Sequence, residues 1–374
     1  MNDIVNSNNV DNCIKKAKTE NDYFQLFLYY KEIRQLKEAE KYLEKAVEIA
    51  PDNLNYKLLL SVISLGTENY LQGWKMYEER LTLDSYVKRN LPRWKGEESK
   101  YKKIVVFSEQ GYGDCFMYGR FLYLLRQSFQ YVCFSASREL LNVLTPDVLH
   151  IDATSHEINP AEFDCYCDLG SLPFLLKLNT EKALNKNWDY LKRPDTSKAE
   201  CIKAGICLHG RLTTDYERTR AIDLRLIQPL IENKNIQFVS LYQPQQNNTL
   251  YDSWKEKGQI EEPPYIFDDF NLTADIISKL DFVITSDTSI AHLSGSMGKK
   301  TYLLLPHKTD WRWKISGESS YWYDSMTIIR QEAQGEWESV GKTLFDKIKE
   351  EFLDRNNRKI SFMDRFKKIL AKID

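Results

Sequence analysis

The hydrophobic rhythm of the chain changes once, near residue 100. Across residues 23–83 apolar side chains recur every three or four positions, Gly is almost absent and Pro51 is the only proline. That spacing predicts amphipathic helices. In LKEAEKYLEKAVEIAPDN (36–53), Ala39, Tyr42, Leu43, Ala46, Val47 and Ile49 fall on one face, and Pro51 stops the helix. A shift of 34 residues lays Ala39 on Gly73, Tyr42 on Met76, Leu43 on Tyr77 and Val47 on Leu81. This is the period of a helical-hairpin repeat. Two copies are fewer than a free-standing solenoid needs, so the module is expected to rest on the domain that follows.

The stretch RNLPRWKGEESKYK (89–102) is polar, contains Pro92 and Gly96, and reads as a linker. Beyond it, short β-rich runs alternate with helical stretches. The strand candidates are KIVVFS (103–108), YVCFS (131–135), DCYCDL (164–169), GICLH (205–209), QFVSLY (237–242), DFVIT (281–285) and TYLLLP (301–306). Helix candidates cover 115–127, 224–232, 272–280 and 289–297. Such alternation predicts parallel sheets wound by crossover helices. A second linker, KRPDTSKAE (192–200), splits the region into two doubly wound halves with a cleft between them. The expected fold class is therefore α/β: a helical module (1–95), an N-terminal doubly wound domain (101–196), a C-terminal doubly wound domain (201–353) and a basic amphipathic end (354–374). That end reads as a helix strapping the halves together, with contact to a membrane or a partner as the alternative.

Composition narrows the classes. With 374 residues and 42% hydrophobic content the chain can bury a real core, and a net charge of −2 argues against a nucleic-acid coat. No run approaches the roughly 18 apolar residues of a membrane helix, and the first residues do not read as an export signal. Seven Cys without a C-x-x-C pair read as reduced thiols of a cytoplasmic protein.

Four segments carry candidate chemistry. SEQGYGDC (108–115) joins a strand to a helix; Gly111 and Gly113 would allow a tight turn and close approach of a ligand. Asp114 would either cap the helix or take a proton from an acceptor hydroxyl. The last Gly of a dinucleotide fingerprint is missing, and no Lys-Ser/Thr follows, so this is neither that fingerprint nor a P-loop. In DFVITSDTSIAHLSGSMGKK (281–300), Ser286, Asp287, Thr288 and Ser289 precede or open a helix whose N–H groups suit an anion. Asp287 suits a sugar hydroxyl, and His292, one turn on, is either packing or part of the same site. LHGRLTTDYERTRAIDL (208–224) brings Arg211, Arg218 and Arg220 together, as a diphosphate would require. LLPHKTDWRWKISGESSYWYDSM (304–326) gathers Trp311, Trp313, Tyr321, Trp322 and Tyr323, read mainly as packing. No metal-ligand spacing is present, so Arg and the helix dipole would have to neutralise a departing diphosphate.

Together, EQGYGD after the first strand, SDTSIAHLSGSMG, and PHKTDWRW…WY…RQ resemble the glycosyltransferase family 9 (heptosyltransferase-like) domain. With GWKMYEERL…PRWKGE, the chain is similar to bacterial proteins that fuse this domain to N-terminal tetratricopeptide repeats. The resemblance implies a GT-B fold, a pair of Rossmann-type domains, and an inverting, metal-independent glycosyltransferase without a cofactor. It implies Asp114 as general base, with Gly111 and Gly113 shaping its loop. Arg218 or Arg220 would contact the donor phosphates, and Asp287, Thr288 and His292 match a D-T-x-x-x-H donor motif. Lipopolysaccharide-building members carry Lys where Arg stands here, so the donor need not be ADP-heptose. The expected partners are a nucleotide-sugar donor and, through the repeats, a protein acceptor, with no nucleic acid and no integral membrane segment. The competing readings are a non-catalytic repeat-containing scaffold with a degenerate transferase fold, and a metabolic enzyme such as a sugar-nucleotide epimerase.

Overall fold

A computed structural model describes residues 10–98, 101–144, 151–186, 188–194, 201–210, 218–242, 248–263 and 269–354. The chain forms two compact units. The first runs to Trp188 and also contains Thr309–Gly317; the second comprises Asp189–Lys308 and the residues from Glu318 onward. The basic segment 355–374 and Arg211 lie outside the described residues.

The first unit begins with helices Val10–Lys16, Glu20–Glu32, Leu36–Ile49, Leu54–Gly66 and Tyr70–Tyr77. Their starts keep the 34-residue spacing, from Glu20 to Leu54 and from Leu36 to Tyr70. Thr19 accepts a bond from Asp22 N and Asn53 accepts one from Tyr56 N, so two of the helices start on side-chain caps. Leu26, Phe27, Ala39, Leu43, Ala46 and Leu60 form the apolar seam. Between the helices lies the buried carboxylate of Glu40. It accepts bonds from Ser64 Oγ (2.7 Å), Thr67 Oγ1 (2.5 Å) and Asn69 Nδ2 (3.0 Å), which satisfies its charge and ties the second hairpin to the first. Gly73 is the point of closest approach: a Cβ there would stand 2.7 Å from the Leu65 side chain.

A four-stranded parallel sheet completes this unit: β1 (Lys103–Phe107), β2 (Tyr131–Ser135), β3 (Asp152–Thr154) and β4 (Cys165–Asp168), in the order β3-β2-β1-β4. The stretch 89–102 is not a free linker. Arg93 bridges alongside Tyr166, Trp94 N donates to Tyr166 O (2.8 Å) and Tyr166 N donates to Pro92 O (3.0 Å). Trp94 is buried edge-on against Phe129, and that apolar seat overrides the polar composition around it. The candidate helix 115–127 also divides, into Tyr112–Gly119 and a 3-10 turn over Leu122–Gln127. The fully buried Arg120 explains the break. Its Nε takes the Met117 carbonyl, the acceptor that the next helical N–H would have used.

The second unit holds a six-stranded parallel sheet: β5 (Ile202–Cys207), β6 (Ile236–Ser240), β7 (Ile260–Glu261), β8 (Phe282–Thr285), β9 (Thr301–Leu305) and β10 (Met326–Arg330). The order is β10-β9-β8-β5-β6-β7, the doubly wound arrangement of a dinucleotide-binding fold. Strands β8 and β9 are buried along their whole length, as strands covered on both faces must be. The sequence pattern does not reveal β3, β7 or β10: the first two are three and two residues long, and the last follows an aromatic loop. The candidate helix 224–232 becomes a 3-10 turn, Leu224–Ile227, and a short helix, Gln228–Ile231, because Pro229 can only open a helix. Among the described residues no helix is long and apolar enough to cross a membrane.

Filling the contact at Gly73 should be costly. Gly73→Ala is expected to destabilise the chain by about 1–3 kcal/mol through overpacking against Leu65. Urea denaturation followed by circular dichroism checks this, and an unchanged midpoint would mean that the two helices can separate freely.

Candidate functional site

Each unit contributes a constellation at the carboxyl end of its sheet. In the first, β1 leads through Ser108–Gln110 into helix Tyr112–Gly119, with Gly111 as its cap. The left-handed residue of this turn is Gln110 (φ 63°), not either glycine. Gln110 Nε2 donates to the Tyr77 hydroxyl, which anchors that strained position. A Cβ on Gly111 would lie 3.9 Å from Asp114 Oδ2, so the glycine instead leaves room beside that oxygen. Asp114 is the third helical residue. Its Oδ2 is only a long 3.4 Å acceptor from Gly111 N, whereas its Oδ1 meets Arg312 Nη2 at 2.5 Å. Arg312 also pairs through Nη1 with Asp310 (2.9 Å) and lies over the Trp311 ring at 4.6 Å. Burial works against the guanidinium charge, but Asp114 and Asp310 outweigh it and hold the group well above its ordinary value.

A second set of charges fills the position where this sheet's strand order reverses, beside the ends of β1 and β4. Arg80 forks onto Glu109, Nη2 to Oε1 at 2.5 Å and Nε to Oε2 at 3.0 Å. Gly170 N donates to Glu109 Oε1 at 2.8 Å. Asp168, only 1% exposed, accepts from the Tyr86 hydroxyl (2.8 Å) and faces Arg89 (3.3 Å) and Arg93 (3.6 Å). Burial pushes the Asp168 carboxyl up, and the Tyr86 bond works against that shift. Sequence reading does not single out Arg80, Glu109, Asp168 or Arg312. The available signal was position: Glu109 lies just past the end of β1, Asp168 ends β4, and Arg312 lies inside PHKTDWRW.

In the second unit the corresponding reversal falls between β5 and β8. Ser286 N donates to Cys207 O (2.9 Å), binding the two strand ends together. Thr288 precedes helix Ser289–Ser296, and its own side chain does not cap that helix. The Thr288 hydroxyl instead lies 3.0 Å from Thr285 Oγ1 and 3.5 Å from Cys207 Sγ, so it tethers the helix start to both strands. Ser286 Oγ is buried and, among the described residues, has no hydrogen-bond partner. Ser289, the first helical residue, is half-buried. Arg220 Nη1 stands 3.6 Å from Asp287 Oδ2, and a Cβ on Gly210 would lie 3.8 Å from Arg220 Nη2 and 3.7 Å from Thr288. Arg220, Asp287, Thr288 and Ser286 are thus brought together. Arg218 is exposed, two positions before Arg220 in the chain. His292 is 4% exposed, with Nδ1 2.9 Å from the Tyr323 hydroxyl. Its neighbour Gly295 lies under the same ring, where a Cβ would come within 2.5 Å. Trp311, Trp313, Tyr321, Trp322 and Tyr323 are all buried, as packing requires. Among the described residues no group of three or more His, Cys, Asp or Glu side chains could hold a metal.

No protein-family model matches the chain. Protein FlbA of Caulobacter vibrioides is 23% identical over 305 residues, covering 71% of this chain and 50% of FlbA. The chain therefore spans about half the length of that curated relative. Among solved structures, the glycosyltransferase family 9 protein from Veillonella parvula has a TM-score of 0.45 at 11% identity, covering 69% of this chain and 99% of that one. The E. coli heptosyltransferase WaaC with ADP-2-deoxy-2-fluoro heptose has a TM-score of 0.43 at 12% identity, covering 66% and 99%.

The cysteines give a direct check on the packing around both strand ends. Burial raises the thiols of Cys207 and Cys133 to about 11 and of Cys165 to about 12, and raises Cys115 and Cys167 further. All five are therefore expected to stay protonated and silent toward a thiol reagent at about pH 8, while exposed Cys201 reacts. Rapid labelling of Cys207 in the native chain, read by mass spectrometry, would contradict the closed β5–β8 junction.

Proposed function

We propose that this chain is an inverting glycosyltransferase that moves a sugar from a nucleoside-diphosphate donor to an acceptor, with a protein as the acceptor. The carrying observation is the junction of β5 and β8: a helix start that Thr288 does not cap, a buried Ser286 hydroxyl without a partner among the described residues, and the Arg220 guanidinium beside Gly210 and Thr288. Free N–H groups at a helix start, a spare hydroxyl and a guanidinium are the donors that a diphosphate recruits. The strand-order reversal is where doubly wound sheets take such ligands. In this reading Arg220, with Arg218, meets the phosphate charge, Ser286 and Ser289 donate to phosphate oxygens, and Asp287 serves a sugar hydroxyl. Thr288 and His292 hold the helix start in place through their bonds to Thr285 and Tyr323.

Asp114 acts as the base. Its carboxylate takes the proton of the acceptor nucleophile as that atom bonds to the anomeric carbon. The bond from that carbon to the diphosphate oxygen breaks, and its electron pair leaves with the nucleoside diphosphate. One displacement inverts the anomeric centre. Developing charge on the leaving group is met by guanidinium and helix dipole, so the reaction needs neither a divalent cation nor a cofactor. The paired helices of the first unit, with their 34-residue period, are read as tetratricopeptide repeats that present the protein acceptor.

Four measurements test this. UDP, ADP and GDP are titrated calorimetrically, and at least one is expected to bind. Ser286→Ala should weaken that binding by about 0.5–1.5 kcal/mol while leaving the denaturation midpoint unchanged or slightly higher, because a buried unpaired hydroxyl is removed. Asp114→Asn should retain nucleotide binding yet lose about 10²- to 10⁴-fold in sugar transfer, scored by mass spectrometry of co-expressed acceptor proteins. EDTA should leave transfer intact. A chain that binds none of the three nucleotides is a scaffold rather than a transferase.

A further inference from the structure

Asp114 is held less by its own helix than by a residue 198 positions away. Its cap bond to Gly111 N is long, whereas its contact with Arg312 is a short charge-assisted bond between two side chains that are 14% and 16% exposed. Arg312 does not rest on Asp114 alone, since Asp310 also pairs with it and Trp311 lies beneath it. Nor does its loop need Asp114 to stay in place. Arg34 donates to the Ile315 carbonyl, Lys314 Nζ joins Glu68 (2.9 Å) and Glu181, and Trp311 packs edge-on against Trp74 at 5.7 Å. The guanidinium is thus mounted independently, and the consequence of its contact with Asp114 falls on Asp114.

We propose that Arg312 is the positioning residue of the candidate base. It fixes Asp114 Oδ1, leaving Oδ2, beside the open space at Gly111, as the oxygen that accepts the proton. The N-terminal helices, through Arg34, Glu68 and Trp74, form the mount for that guanidinium and so serve the chemistry as well as any acceptor. This role rests on the transfer reading above. It follows the logic of a reactive group oriented by a third residue.

The experiment measures release of nucleoside diphosphate from UDP-glucose, ADP-glucose and GDP-mannose, with water as acceptor, for the full chain and four variants: Arg312→Ala, Arg312→Lys, Asp114→Asn, and Arg312→Ala combined with Asp114→Asn. Arg312→Ala is expected to lower kcat about 100-fold, with KM for the donor unchanged, as misplacement of a reacting group does. Arg312→Lys should recover part of that loss. The double variant should be no slower than Asp114→Asn alone, because residues acting as one unit are not additive. Multiplying losses in the double variant, or a rise in KM with kcat intact, would overturn the positioning role and leave Asp114 as base. If Asp114→Asn matches the unmodified chain, or that chain cleaves none of the three donors, the transfer reading fails and this role falls with it. Calorimetric binding of the same nucleotide to every variant separates these outcomes from simple misfolding.

Discussion

A parallel sheet wound in both directions leaves an opening where its strand order reverses, because the crossover helices depart to opposite faces at that point. Each unit must fill that opening or offer it to something else. The first unit fills it from within: Arg80, Glu109, Asp168 and their partners satisfy one another at the ends of β1 and β4. Leaving any one of these buried charges alone would be expensive, so the set stands or falls together. The second unit closes its junction only partly. Thr288 is tied to both strands and does not cap the helix it precedes, and among the described residues the Ser286 hydroxyl has no hydrogen-bond partner. The contrast assigns different work to two sheets of related topology.

The charges that fill the first opening come largely from outside the sheet. Arg80 follows the last helix of the module, and Arg89 and Arg93 lie in the polar stretch after it. The helices are therefore joined to the sheet by ionic as well as apolar contacts. Trp74 adds an aromatic link, touching Tyr118 of the Asp114 helix as well as Trp311. The module is part of the first unit's interior rather than an appendage.

Repeating patterns were legible from the chain alone. The helical period, most strands and both strand-to-helix motifs follow from local spacing, which any window of a dozen residues contains. What could not be read was pairing at long range. Arg312 sits among aromatics, and nothing near it names Asp114. Trp94 looks like one apolar residue in a polar stretch until the edge of β4 is present to receive it. The expectation that glycine would supply the turn before Asp114 met a different solution: Gln110 adopts the left-handed conformation, with its side chain anchored on Tyr77. Short strands such as β7 carry too few residues to show a period at all.

The excursion of Thr309–Gly317 into the first unit makes that unit discontinuous along the chain. A ribosome delivers residues in order, and domains generally begin to fold as they emerge. Here the emerging helices and first sheet remain without the segment of Trp311 and Arg312 until more than a hundred further residues have been synthesised. Through that interval Trp74 lacks Trp311 and Glu68 lacks Lys314. The two units cannot reach their final form strictly one after the other, and a fragment ending at Trp188 would be a permanent copy of that unfinished intermediate.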